Sequence, residues 1–188
     1  FSVLEKKITL TQLFRSWTIV YLGNFVGSIL LAFLVFYSGA SHNNHDALGA
    51  IAINTAYSKV SLSFLEAFTR GILCNWLVCL AVWMASSSRT VIGKIFAIFF
   101  PIMTFVASGY EHSVANMFFI PNGILLKQIP SVVGASGFSL EQLSILSWKG
   151  FFIHNLIPVT LGNIVGALVF VVLLFWMAYL KDDHKNQN

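Results

Sequence analysis

Apolar residues come in long blocks along this chain, separated by short clusters of charge. Crossing a bilayer as a helix takes about 20 mostly apolar residues. Trp17 to Tyr37 is one such block, with no charge inside it. Leu62 to Ala85 is a second, apolar apart from Glu66 and Arg70 near its start. Phe151 to Leu180 is a third; as one helix it would run about 45 Å at roughly 1.5 Å per residue. Part of it is therefore expected to project beyond the hydrocarbon or to form a re-entrant lead-in. These blocks predict spans at 17–37, 62–85 and 151–180.

The region from Ile95 to Leu126 behaves differently. As one helix it would be about 48 Å long, too long for a simple crossing. Its middle reads Ala107-Ser108-Gly109-Tyr110-Glu111-His112-Ser113, with Asn116 one turn further on. Polar and non-helical backbone at membrane depth is tolerated only where it faces protein or a water-filled cavity. The expected element is a span over 95–126 broken near 107–112, with Glu111, Ser108, Gly109 and Asn116 as the structural polar residues of the break.

Composition sharpens this. Of 188 residues, 57% are apolar and 10% charged, against about 25% charged in a soluble domain. A water-soluble enzyme and a disordered chain are both excluded, because this much apolar side chain must be buried or face lipid. The net charge of +4 is small and scattered, which argues against nucleic acid. The basic residues fix orientation instead. Four alternating spans place Lys6, Lys7, Arg15, Arg89, Lys94, Lys181 and Lys185 on one side, the cytoplasmic one. Lys59, Lys127 and Lys149 remain opposite, and both ends of the chain are expected inside. Cys74 and Cys79, five apart, fit neither a metal pair nor a redox motif and read as packed thiols. His42 and His45 read as part of a solvated loop and His184 as part of a charged tail, so neither a metal nor a cofactor is expected.

An internal repeat is also visible. Leu22-Gly23-Asn24-Phe25-Val26-Gly27 in the first span matches Leu161-Gly162-Asn163-Ile164-Val165-Gly166 in the last. In the topology above these spans run in opposite directions, the mark of an inverted repeat with any substrate path near the midplane. Small residues let helices approach closely, and Asn24 and Asn163 can bond across the contact or face a pathway. The competing explanation is that Gly-x-x-x-Gly spacing is simply common in membrane helices. Equal halves would require two further spans upstream of Phe1, and a chain starting without Met is expected to be a piece of a longer polypeptide.

Among the polar residues, His112 at the break titrates near neutrality and suits a hydrogen-bond donor or proton source for an anion. Glu111 would repel an anion, so it is read as scaffold. Lys59 either stays solvated at the rim or leans inward and raises the local anion concentration. Glu66 and Arg70, four apart with the acid first, are read as a structural pair. Asn75, alone in an apolar stretch, is expected to face a helix or a pore. Phe105, one turn before the break, is either packed or part of a dewetting constriction.

At this point the chain resembles a known family. Ala107 to Met117, Cys74 to Met84 and Asn155 to Asn163 are similar to the fifth, fourth and sixth spans of the formate/nitrite transporter family. The resemblance implies an all-α integral membrane protein with an aquaporin-like inverted-repeat bundle, of which this single domain covers spans three to six of six. It implies a homopentamer in a lipid bilayer with a pore in each protomer for a small monovalent anion: formate first, then nitrite or hydrosulfide. A bacterial inner membrane is the expected location. By position, His112 matches the family's central pore histidine, Asn75 the asparagine near it, Lys59 the lysine of the outer path and Phe105 an aromatic constriction. Asn163 and Asn24 match repeat asparagines. The rival reading is an intramembrane enzyme using Glu111 and His112 as an acid/base pair.

Overall fold

Nothing but helices, turns and irregular links forms among the described residues of the computed structural model, which are 2–180. Lys181, His184 and Lys185 lie outside them. Helix α1 runs Leu10–Tyr37, α2 Ala47–Val60, α3 Phe64–Ser87, α4 Val91–Ala107, α5 Ser113–Leu126 and α6 Pro130–Ser136. Last comes α7 (Ile157–Ala167), flanked by π-helical turns at Gly150–Leu156, Leu168–Leu173 and Trp176–Leu180. Leu10–Tyr37, Phe64–Ser87 and Gly150–Tyr179 are long and apolar enough to cross a membrane; α4 and α5 are shorter apolar helices.

Local chemistry sets where these helices begin. Thr9 and Gln12 form a reciprocal capping box, Thr9 N–H donating to Gln12 Oε1 at 2.9 Å and Gln12 N–H to Thr9 Oγ1 at 3.2 Å. That box starts α1 well before its charge-free stretch. Ser63 and Glu66 do the same for α3: the Ser63 N–H and hydroxyl donate to Glu66 Oε2 at 2.9 and 2.7 Å. Thr90 caps α4 by accepting the Gly93 N–H at 3.0 Å. Pro158 has no N–H to give, and just before it the Ile157 N–H reaches back to the Phe152 carbonyl, five residues away. The π turn at 150–156 follows from that shift; the later π turns have no comparable cause in the sequence.

The chain divides into two compact units. One, the lysine unit, comprises Phe14–Ala67 and Ser113–Pro158. Its core pairs α2 with α5: Ile53, Ala56 and Val60 face the chain of Met117, Ile120 and Ile124, all spaced as one helical stripe. Phe151, Leu143, Leu146 and Val132 close that core. Residues 47–61 carry no charge besides Lys59, and their helix α2 packs against α5 along this stripe.

The other, the histidine unit, comprises the described residues of Phe1–Leu13, Phe68–His112 and Val159–Asn188. Here α3 and α7 meet through glycine. A Cβ on Gly162 would strike the Phe68 carbonyl oxygen, one on Gly166 the Ile72 carbonyl, and one on Gly71 the Val159 carbonyl at 2.8 Å. Backbones touch because no side chain stands between them. Trp76 against Phe170 and Trp83 against Phe175 continue the contact, with ring centroids 5.4 and 4.7 Å apart. On α4, by contrast, Ile92, Ile95, Phe96, Phe99 and Phe100 are all exposed. An apolar face of that extent suits lipid, not water.

Candidate functional site

The break between α4 and α5 is built by its own backbone. At the end of α4 the Gly109 N–H donates to the Val106 carbonyl (3.1 Å) and the Tyr110 N–H to the Phe105 carbonyl (3.0 Å). This is a Schellman ending, and it needs a residue in the left-handed region after the cap. Gly109 supplies it at φ 66°. The chain then stops being helical until Ser113, leaving the Glu111 backbone to find partners elsewhere.

It finds them in the histidine unit. The Glu111 N–H donates to the Arg70 carbonyl at 3.3 Å. The Asn163 amide nitrogen donates both to the Glu111 carbonyl and to the Gly71 carbonyl, each at 2.9 Å. Asn75 Nδ2 in turn donates to the Asn163 carbonyl at 2.7 Å. Asn163 is 7% exposed and Glu111 2%. Unmade hydrogen bonds are most costly where water is absent, so the buried Asn163, backed by the half-buried Asn75, holds irregular backbone that lipid could not. Beside this lattice the half-buried rings of Phe105 and His112 lie 6.1 Å apart, tilted by 36°.

The lysine unit holds a second group. Lys59 is the penultimate residue of α2; its carbonyl accepts from Asn155 Nδ2 at 2.9 Å, and Asn155 Oδ1 accepts from Asn116 Nδ2 at 2.7 Å. The Lys59 ammonium lies 5.7 Å from the centroid of the Phe119 ring.

Of the residues singled out in the sequence, Asn75, Asn163, Glu111, Phe105 and His112 are thus neighbours in one unit. Lys59 and Asn116 are neighbours in the other. Ser108 and Gly109 are exposed and form the helix ending. Asn24 joins neither group: it is exposed and its Nδ2 donates to the Val20 carbonyl of its own helix at 2.9 Å. Asn155 escapes the sequence reading, although the cue that marks Asn75, a lone amide among apolar residues, also marks it. Outside the spans, His42 Nδ1 and Asp46 Oδ1 are 2.6 Å apart. That hydrogen bond, and then one from Ser131, hold the Asp46 carboxyl below its usual range. Among the described residues no group of three or more metal-binding side chains occurs.

Long apolar helices, beside a shorter one ending in irregular backbone tied down by the buried Asn163 amide, define an integral membrane protein. Residues 1–177 match the formate/nitrite transporter family, and the chain belongs to it. It is 44% identical over 181 residues to the formate channel FocA of Escherichia coli K12, covering 95% of this chain and 64% of the relative. A probable formate transporter of Methanothermobacter thermautotrophicus is 42% identical, with 96% of this chain and 64% of the relative covered. Among solved structures, a pentameric formate channel with formate bound aligns at a TM-score of 0.85 and 42% identity, over 93% of this chain and 69% of that one. The chain therefore spans a little under two thirds of the curated relatives' length. The names are those of channels and transporters, so the acid/base enzyme reading of Glu111 and His112 falls away.

Proposed function

We propose that the whole protein, of which this chain is a channel domain covering spans three to six of six, passes a small monovalent anion across a bacterial inner membrane. Formate ranks first, then nitrite or hydrosulfide. The reading includes a homopentamer with one path per protomer, an aquaporin-like inverted repeat and both chain ends in the cytoplasm. Likeness to relatives named for formate supports the substrate, and likeness to a solved pentameric channel supports the assembly.

The observation that carries the mechanism is the tied break at 108–112, which leaves His112 next to the Phe105 ring and immediately before the first residue of α5. The start of a helix carries a partial positive charge suited to an anion. Lys59 raises anion concentration on the approach. A bare anion in a dry constriction is costly. His112 offsets that cost by donating a hydrogen bond, or by giving up a proton so that the neutral acid passes the apolar ring of Phe105. Asn75 and Asn163 frame the path, while Glu111, Ser108 and Gly109 shape the break.

The test is flux of formate, nitrite and hydrosulfide into proteoliposomes of the full-length protein. Wild type should carry formate fastest, and His112→Asn should abolish the rise of transport on the acid side. An unchanged pH profile in the variant overturns the proton-transfer role.

A further inference from the structure

We infer that Asn155 is a positioning residue for Lys59, a role that rests on the reading of Lys59 as the cation that draws in the anion. Lys59 lies in the last turn of α2, where carbonyls have no partner further along the helix. Its own carbonyl is taken by Asn155 Nδ2 at 2.9 Å. Asn155 is fully buried, and its other amide atom is occupied too: Oδ1 accepts from Asn116 Nδ2 at 2.7 Å. An amide engaged at both ends has one orientation, so the Lys59 carbonyl meets a fixed donor.

The second holder comes from the same helix as Asn116. Phe119 stands three residues beyond Asn116, on the same face of α5, and the Lys59 ammonium lies 5.7 Å from its ring centroid. A cation over an aromatic face is attracted by the ring quadrupole while keeping its charge. Lys127, in the same unit, is used otherwise: its ammonium donates to the Leu143 and Leu146 carbonyls at 3.2 and 2.7 Å. Lys59 is thus fixed at the backbone through Asn155 and at its tip by Phe119, with α5 setting both. Asn155 itself lies within the π turn Gly150–Leu156, just ahead of Pro158.

This predicts a specific kinetic signature for the full-length protein in proteoliposomes, with formate as the probe. Lys59→Met should raise the half-saturating formate concentration by about tenfold, and Asn155→Leu by about threefold or more, with the maximal rate held within about twofold. The double variant should do no worse than Lys59→Met alone, because both changes act through one side chain. Asn116→Ala, which removes the brace on Asn155, should give a smaller shift of the same kind and keeps the test open should Asn155→Leu fail to assemble. Additive effects, or a shift with Lys59→Met but none with either asparagine variant, overturn the inference alone. An unchanged half-saturation in Lys59→Met overturns the role of Lys59 itself, and with it this inference.

Discussion

The two copies of Leu-Gly-Asn-x-Val-Gly have the same letters and different surroundings. In the second copy a Cβ at Gly162 or Gly166 would collide with a carbonyl of α3, and Asn163 is buried with two acceptors. In the first copy, Gly23 and Gly27 have nothing within 4 Å of the place a Cβ would occupy, and the Asn24 amide turns back to its own helix. The motif is therefore a capacity for close contact, not a contact. What it does depends on whether another backbone is present to be approached, and in lipid that approach relies on packing and hydrogen bonds instead of on a hydrophobic drive.

The contrast is easiest to break at its steric end. Gly162→Val forces α3 and α7 apart and should cost about 3 kcal/mol or more, whereas Gly23→Val in this chain should stay within about 0.5 kcal/mol. Unfolding in mixed micelles checks both, and equal losses would dissolve the distinction. The polar end is next. Asn163→Leu strips a donor from the Gly71 and Glu111 carbonyls, each worth about 1–3 kcal/mol when buried. Hydrogen exchange should quicken at 110–112, while Asn24→Leu should leave exchange across its helix unchanged.

The smallest effect lies just beyond the helix that carries the first copy. Asp46 has its carboxyl pKa lowered in the fold, first by the His42 hydrogen bond and then by Ser131. The sign follows from the depression. Its contribution is complete above the ordinary carboxylate value of 3.8 and is lost as pH falls through the lowered folded value. Asp46→Asn should flatten the acid side of a thermal-unfolding profile slightly; a profile identical to wild type would remove Asp46 from the acid response.

Much of this is legible from residues alone. The break can be read because Ser108 to His112 are polar where neighbours are apolar, and a lone left-handed Gly109 is the usual way such a helix ends. The family follows from three stretches in order. What stays hidden depends on partners. Helix α2 is too short to register as a span, and its stripe of Ile53, Ala56 and Val60 has meaning only against α5. The early start of α1 is written in the Thr9–Gln12 box, a signal that span counting ignores. Asn155 is visible as a residue but not as a clamp, since its acceptor is a carbonyl 96 positions away. Nor can identical letters reveal that one copy of the repeat is packed and one is not.

The π turns of the last helix also change how its length should be read. At the α-helical rise, thirty residues are too many for a membrane. Hydrogen bonds that reach back five residues instead of four wind more chain into each turn, so the same count covers less depth. A residue count is a ruler only for one kind of helix. The π turns therefore shorten Gly150–Tyr179 relative to the roughly 45 Å of an unbroken α-helix, and removing one residue ahead of Pro158 should carry every later side chain around the axis.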